Sequence, residues 1–374
     1  MRTPAMGQDS TSATGRALKI AALLALLFGF FLGLDLMGLS FKLFGAGFAE
    51  TLIERTSNPL AGLFIGILAT TLVQSSSTTT SMTVGLVAAG ALTIEGSIPI
   101  IMGANIGTSV TNTLVSLAHV TRREEFKRAF AGATMHDFFN WMAVVVLLPL
   151  EIATGYLAKS AGWLTGLLEG TGGINMLNPL QQAVRPIAEA VVGLLGNSGA
   201  LTLVAGIALI IVCLKLLVDL LKNVLSGQAE QALHGSLFRS APAAILAGLA
   251  MTVMVQSSSI TTSVMVPLIG AGIVTLEQAL PFTIGANIGT TITALLAALA
   301  TGQPAALTVA LAHLVFNLTA AVLIYLPPMV RAIPLALARG LGELGARNRL
   351  LAAGYILLVF FGLPLALLFL TGTL

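Results

Sequence analysis

The chain has very few charged residues. Asp, Glu, Lys and Arg make up 9% of its 374 residues, whereas they make up roughly a quarter of a typical soluble domain. Hydrophobic residues reach 56%, and the mean hydropathy is +0.96. These values exclude an ordinary water-soluble domain and indicate a protein that lies in lipid.

Cysteine is almost absent, because Cys213 is the only one. A single cysteine excludes an intrachain disulfide and any metal site built from several cysteines. The four histidines lack metal-site spacing with a second histidine or a carboxylate, and no glycine-rich nucleotide loop with a lysine is present. We therefore expect neither an enzyme nor a bound cofactor.

The excess of positive charge is small, at +3. The basic residues lie in short loops instead of on one face or in one tail, which is typical of the cytoplasmic loops of a membrane protein and not of a nucleic-acid binder.

Long apolar runs are the most prominent feature that the sequence does contain. A helix needs about 20 apolar residues to span a bilayer, so several crossings and an all-α polytopic protein of the cell membrane are predicted. Arg16 precedes the first run and Lys19 lies at its start, and the run has no cleavage site and is expected to stay as an uncleaved helix. The apolar runs lie at 17–34, 200–221, 307–326 and 350–370.

The sequence also repeats itself. Residues 74–118 align without gaps on residues 256–300, and 24 of the 45 aligned pairs are identical. The alignment extends upstream to the first apolar helix and, after a loop five residues shorter in the second copy, downstream to a histidine and an asparagine. These further pairs are 18–40 with 200–222, His136 with His313, and Asn140 with Asn317. The repeated unit is therefore a group of helices.

The charges of one loop differ between the two copies. The loop at 121–128 contains four basic residues, and its counterpart at 301–306 contains none. Because basic loops favour the cytoplasm, the two loops are expected on opposite sides of the membrane. Inverted repeats of this kind are a common architecture of secondary transporters.

The loop charges predict how the chain is divided. The parts are a cytoplasmic tail at 1–17, repeat 1 at 18–150, an external linker at 151–199, repeat 2 at 200–328 and a C-terminal segment with the last helix at 329–374. The C-terminus is expected outside, unless the stretch 333–344 also enters the membrane.

Each repeat carries the polar segment Gln-Ser-Ser-Ser within apolar sequence, at 74–77 and 256–259. Such side chains compete for backbone hydrogen bonds and favour local unwinding. Irregular backbone at membrane depth is tolerated only where protein or a water-filled cavity covers it. Serine-rich strips also pack membrane helices together, but the same segment in both copies favours a shared central site. We therefore predict broken or re-entrant helices at these segments.

About thirty residues further on, each repeat reads Gly-Ala-Asn-Ile-Gly-Thr, with Asn105 and Asn287 at the centre. Glycines four residues apart can pack helices, and they also let the backbone approach a ligand. The asparagines with flanking hydroxyls favour ligand contact. Amide, hydroxyl and carbonyl oxygens suit sodium, while hydroxyl donors and half-helix N-termini suit an anion.

Five other polar residues at membrane depth or near helix starts have more than one interpretation. The repeated His136 and His313 either form hydrogen bonds that hold helices together or carry a proton. Asp137 occurs in the first copy only, and a basic partner is one expectation for it. Glu95 and Glu277 each follow a threonine by two residues, which favours helix capping.

Together with the stretch 128–140, these doubled motifs resemble the type II sodium-dependent phosphate cotransporters. The likeness extends over most of the chain from about residue 58, and the short cysteine-free linker is typical of a compact bacterial member. The resemblance implies sodium-coupled uptake of inorganic phosphate by alternating access. Phosphate, Na⁺ and the lipid bilayer are then the expected partners, with sodium as the coupling ion and no other cofactor.

The resemblance also implies which residues bind each ion, with no catalytic residue and no metal other than sodium. Phosphate is expected at Gln74, Ser75, Ser76, Ser77, Asn105, Thr108, Ser258, Ser259 and Asn287. Sodium is expected at Gln256, Ser257, Thr290, Thr293, Gln74 and Thr111.

One position departs from the electrogenic members of that family. They carry an aspartate after two alanines, sixteen residues beyond the first glutamine, where this chain has Gly90. The resemblance therefore implies electroneutral coupling. Two alternatives stay open: a sodium- or proton-coupled transporter of another small anion, and a phosphate-sensing membrane subunit that does not transport.

Overall fold

The computed structural model describes residues 13–170, 178–233 and 240–373, and these residues are almost entirely helical. No β-strand occurs among them, so the predicted all-α class is confirmed. The first twelve residues of the predicted tail and residues 171–177 of the predicted linker lie outside the described residues. The helices are α1 Ala13–Phe44, α2 Ala46–Thr56, α3 Pro59–Val73, α4 Ser76–Ala88, α5 Ile94–Gly107, α6 Ser109–Ser116, α7 Arg123–Thr154, α8 Tyr156–Gly170, α9 Asn178–Leu194, α10 Gly199–Leu233, α11 Ala241–Val255, α12 Ser258–Ser263, α13 Met265–Gly270, α14 Leu276–Thr301, α15 Pro304–Ala320, α16 Pro328–Arg347, α17 Arg349–Leu357 and α18 Leu363–Leu370.

Within the described ranges, seven helical stretches are long and apolar enough to cross a membrane. A further pair, Ala49–Thr56 and Pro59–Val73, meets at an angle of 101°. A multi-pass membrane protein is therefore confirmed. The seven stretches are Ala17–Phe44, Ile94–His119, Arg123–Thr154, Gly199–Leu217, Leu276–Thr301, Pro304–Tyr325 and Arg349–Leu370.

Helices α1 and α10, which are equivalent in the repeat, pack against each other along their length. At one end Gly199 lies against the ring of Phe44, and toward the other end Gly29 lies against the sulfur of Cys213. The residue numbers rise on one helix as they fall on the other. Small residues along the contact let the two backbones approach closely. The two equivalent helices therefore run in opposite directions.

Helices α3 and α5 run in the same direction. Gly62, near the start of α3, packs on Pro99 near the start of α5, and Gly107 at the end of α5 packs on Thr70 near the end of α3. Helix α4 connects the end of α3 to the start of α5, so it must turn back toward the side where α3 began. Helices α3 and α4 thus form a re-entrant hairpin, which we call hairpin 1.

The same arrangement occurs in the second half. Gly248 of α11 lies so close to α14 that a Cβ atom on it would be 2.0 Å from the carbonyl oxygen of Phe282. Further along, a Cβ on Gly289 would be 2.7 Å from the Cβ of Thr252. Helices α11 and α14 are therefore parallel, and α12 with α13 returns between them. We call α11 to α13 hairpin 2.

The C-terminal helices connect the two ends of the molecule. Arg349, at the start of α17, donates to the carbonyl oxygen of Val120 at 2.7 Å, beside the loop with four basic residues. At the other end of the last helix, Gly372 accepts a 2.5 Å hydrogen bond from Arg55 of α2. The stretch 333–344 lies in α16, which is not among the seven candidate spans. Residue 372 thus lies on the side opposite the basic loop.

Candidate functional site

Each Gln-Ser-Ser-Ser segment lies where one helix ends and the next begins. Gln74 ends α3 and Gln256 ends α11, both with φ of 55°, a left-handed backbone that residues other than glycine seldom adopt. The hydroxyls of Ser75 and Ser257 then accept a hydrogen bond from a backbone N–H in the first turn of the following helix. The helix interruption is therefore limited to one left-handed residue and a serine N-cap.

The tips of the two hairpins contact each other. The hydroxyl oxygens of Ser76 and Ser258 are 3.4 Å apart, and the hydroxyl of Ser77 donates to the carbonyl oxygen of Gln256 at 3.3 Å. All four residues are buried. Helix α4 begins at this contact, and the N-terminus of a helix carries partial positive charge. The two halves thus meet at a buried polar point with donors suited to an anion.

A cavity of about 320 Å³ lies beside this contact, and we call it the central cavity. Both tips, Thr111 of α6 and one face of α10 line it. The lining is Val73, Gln74, Ser75, Ser77, Thr78, Thr111, Ile211, Leu214, Lys215, Asp219, Gln256, Ser257, Ser259 and Ile260.

The central cavity brings together about half of the residues that the sequence assigned to ions. Those that line it are Gln74, Ser75, Ser77, Thr111, Gln256, Ser257 and Ser259. The others are buried without lining it, namely Ser76, Asn105, Thr108, Ser258, Asn287, Thr290 and Thr293. The division of these residues between phosphate and sodium stays a prediction.

Two charged residues in the lining, Lys215 and Asp219, were not among the predicted site residues. Both are exposed and lie one helical turn apart on α10. Lys215 falls within the candidate span Gly199–Leu217. A charge within an apolar run of that length is the sequence signal that identifies such a residue, because intramembrane charges are costly and face cavities or partners.

The predicted sodium ligands are bonded differently in the two halves. Thr293 donates to the side-chain oxygen of Gln256 at 2.8 Å, and the amide nitrogen of Gln256 donates to the carbonyl of Val253 at 2.6 Å. Thr111 occupies the position of Thr293 in the first repeat, and its buried hydroxyl has no hydrogen-bond partner among the described residues. Thr111 therefore has an unpaired hydroxyl beside the central cavity, and Thr293 orients a glutamine.

Asn287 belongs to a hydrogen-bond network between the halves. Its side-chain oxygen accepts from Nε2 of His136 at 2.7 Å, and its amide nitrogen donates to the side chain of Asn140 at 2.8 Å. Its backbone carbonyl accepts from Asn317 at 3.3 Å. The Asn287 amide therefore contacts helix α7 of the other half.

Asn105 of the first half makes the equivalent bonds to α15 of the second half. Its oxygen accepts from Nε2 of His313 at 3.0 Å, its nitrogen donates to Asn317 at 2.7 Å, and its carbonyl accepts from Asn140 at 3.0 Å. All of these side chains are buried. Both histidines thus donate through Nε2 across the boundary between the halves. The predicted contact of Asn105 and Asn287 with phosphate stays a prediction.

Asp137 is fully buried on α7, and its partner is the hydroxyl of Tyr355 on α17 instead of a basic residue. Its second carboxyl oxygen has no hydrogen-bond partner among the described residues. This contact therefore joins the first repeat to the last helix.

A smaller cavity of about 110 Å³ lies elsewhere, where α1, α4 and α9 meet, and we call it the peripheral cavity. Arg185 of α9 donates to the carboxylate of Asp35 on α1 at 3.1 Å, and both residues line it. Ala89 also lines it, immediately before Gly90, which has φ of +74° and open space around its Cα. The carboxylate that lines this cavity is thus that of Asp35, and an arginine pairs with it.

A family model described as Na⁺/Pi-cotransporter matches residues 29–161 and 209–334. The chain belongs to the Na⁺/Pi-cotransporter family. The resemblance inferred from the doubled motifs is confirmed. Each matched range contains one re-entrant hairpin and one Gly-Ala-Asn-Ile-Gly-Thr segment, and the unmatched interval includes α9.

Curated relatives of this family cover almost the whole chain. The sodium-dependent phosphate transport protein 2A of Mus musculus is 36% identical over 439 residues, which is 96% of this chain and 69% of that protein. The sodium-dependent phosphate transport protein 2B of Homo sapiens is 35% identical over 444 residues, with 93% and 64% covered. No solved structure matches the chain. The family and these relatives are transporters and not enzymes.

Proposed function

We propose that this chain is a secondary active transporter of the cell membrane that moves inorganic phosphate into the cell together with sodium. The observation that carries the proposal is the central cavity, because it lies between two interrupted helices and is lined by hydroxyl and amide groups of both halves. Hydroxyl donors and helix N-termini suit phosphate, and amide and hydroxyl oxygens suit sodium. The relatives named above are sodium-dependent phosphate transport proteins.

We further propose that the central cavity is open toward the cytoplasm in this conformation. It extends along residues 211–219, at the C-terminal end of the candidate span Gly199–Leu217, and the loop charges orient that end toward the cytoplasm. The corresponding route along α1 is filled, since Met37 is fully buried and lies within 2.3 Å of where a Cβ on Gly85 would be. Alternating access then requires the hairpins to move relative to α1 and α10.

Sodium coupling and electroneutrality can be measured together in reconstituted vesicles. We expect uptake of radiolabelled phosphate to fall at least roughly ten-fold when choline replaces sodium at fixed pH, because the coupling ion supplies the driving force. Because Gly90 replaces the aspartate of the electrogenic relatives, we expect no net current during uptake.

Each other outcome favours a different assignment. Uptake that is independent of sodium contradicts the coupling ion, and uptake driven by a pH gradient favours protons. A sustained inward current contradicts electroneutrality. Phosphate binding without uptake by protein that is correctly inserted favours a sensing subunit.

A further inference from the structure

Charged side chains line part of the central cavity, whereas the hairpin tips supply only uncharged hydroxyl and amide groups. Lys215 and Asp219 are the two charged side chains among its lining residues, and both are exposed. Neither takes part in an ion pair within the part of the chain that the structure describes. The ammonium group of Lys215 is therefore available to a ligand.

The position of Lys215 is unusual for a lysine. It lies between Leu214 and Leu216 in a stretch with hydropathy 2.6 that is long enough to span a membrane. A lysine in such a stretch is costly unless it faces water or a counter-charge, and intramembrane ionisable residues mark ion and substrate paths. Facing the central cavity satisfies this requirement.

Within the described part of the chain, only the second half of the molecule contributes charged residues to the lining of the central cavity. In the repeat alignment Lys215 and Asp219 correspond to Gly33 and Met37 of α1. Gly33 packs so closely on α10 that a Cβ would lie 2.8 Å from Ile210, and Met37 is fully buried. Both halves thus supply the same hydroxyl and amide groups to the central cavity, whereas its charged lining residues come from α10 alone.

We propose that Lys215 is a phosphate-binding residue of the central cavity, an inference that rests on the proposed function. Its ammonium attracts and contacts the anion as a point charge, as lysine does at many phosphate sites, while the serine hydroxyls of the tips donate hydrogen bonds. Asp219, one turn away on the same face of α10, limits the positive charge of the empty cavity. Because the charged lining residues lie on α10 only, Lys215 acts on phosphate in the conformation in which the cavity opens along α10.

The test uses the full chain in proteoliposomes, with Lys215→Ala and Lys215→Arg compared with the unchanged protein. We expect Lys215→Ala to raise the KM for phosphate roughly ten-fold with kcat changed less than about two-fold, which is the pattern for a lost ground-state contact. The half-saturating sodium concentration should stay unchanged. Lys215→Arg, which keeps the charge, should restore most of the affinity.

Equilibrium binding of radiolabelled phosphate to the purified protein in sodium gives a second reading that does not depend on transport. Lys215→Ala should weaken it by a similar factor. The matched control is Lys159→Ala, because Lys159 is an exposed lysine of α8 whose ammonium donates to the carbonyl of Thr154. It should leave the KM for phosphate unchanged.

Two results would overturn the proposal: an unchanged KM and an unchanged dissociation constant for phosphate in Lys215→Ala, or an equal loss of affinity in Lys215→Arg and Lys215→Ala. Asp219→Asn should improve the affinity for phosphate, because it removes a negative charge from the cavity, and a ten-fold loss there would also contradict the assigned roles. Failure of the proposed function appears separately, as phosphate uptake by the unchanged protein that does not depend on sodium.

Discussion

The glutamine that begins each Gln-Ser-Ser-Ser segment, Gln74 or Gln256, adopts a left-handed backbone conformation that glycine would adopt more easily. A left-handed residue other than glycine costs about 1–2 kcal/mol, and such costs persist mainly at functional sites. Gln256 offsets part of this cost through its side chain, which bonds to Thr293 and to the carbonyl of Val253. The amide is therefore what the site gains from a glutamine at this position.

The cost of the left-handed backbone and the contribution of the side-chain amide can be separated by comparing Gln256→Gly with Gln256→Ala. Both variants remove the amide, so we expect sodium-driven phosphate uptake to fall at least roughly ten-fold in each. Only glycine relieves the left-handed backbone, so its thermal unfolding temperature should be higher than that of the alanine variant.

Gln278→Ala is a suitable control, because Gln278 is an exposed capping residue at the start of α14. Its uptake should match that of the unchanged protein. Normal uptake in both Gln256 variants would show that the amide has only a packing role.

At the scale of the helices, the Gly-Ala-Asn-Ile-Gly-Thr segments bond through their asparagine side chains to the other half of the molecule, whereas α3 and α11 of the hairpins pack on α5 and α14 of their own half. The Gly-Ala-Asn-Ile-Gly-Thr segment of α5 bonds to α15, and that of α14 bonds to α7. Every bond of one set has an equivalent in the other. A buried polar group that loses its partner is costly, so each half depends on the other for its stability.

We therefore expect Asn287→Leu and Asn105→Leu to destabilise the protein by similar amounts. Each change removes two side-chain hydrogen bonds and leaves a buried histidine and a buried asparagine unsatisfied, at about 1–3 kcal/mol for each group. The measurement is thermal unfolding in detergent with and without phosphate. A variant with unchanged unfolding temperature but weakened phosphate binding would instead support the prediction that these asparagines contact phosphate.

The sequence predicts those features that both repeats share, because agreement between two copies removes most of the ambiguity. The interruption at Gln74 recurs at Gln256, and serine-rich sequence disfavours regular helix at both places. It could not predict that Lys215 lines the central cavity, since the face of α10 that is exposed depends on how α1 packs against it. It also could not predict the contact of Asp137, whose partner is a hydroxyl 218 residues away.

At the scale of the whole molecule, polar contacts at the two ends join different parts of the chain. At the end with the basic loop, Lys127 of α7 pairs with Glu343 of α16 at 2.6 Å, and Arg339 of α16 pairs with Glu277 at the start of α14. At the other end, Arg185 of α9 pairs with Asp35 of α1. Helix α16 thus contacts both repeats, whereas α9 contacts the helix that lines the closed route.

These contacts and the filled route along α1 imply that the central cavity is reached from one side at a time. A cysteine introduced at Asp219 should react with a membrane-impermeant thiol reagent from the cytoplasmic side of oriented vesicles and much more slowly from the outside. Cys213 is replaced by alanine first, since it is the only native cysteine. Sodium with phosphate should change the reaction rate, because a ligand shifts the populations of two conformations for which its affinities differ.

Two exposed positions serve as controls for sidedness. Ile273 lies near the start of α14 beside the basic end, and Ser57 lies between α2 and α3 near the other end. Cysteines there should react from the cytoplasm and from outside respectively, whatever ions are present. If Asp219→Cys reacted equally from both sides, or if sodium and phosphate left its rate unchanged, the cavity would be a static pore or pocket. Reaction confined to one side that becomes faster from the outside in the presence of sodium and phosphate would support movement of the hairpins against α1 and α10, since a bound ligand alone could only slow it.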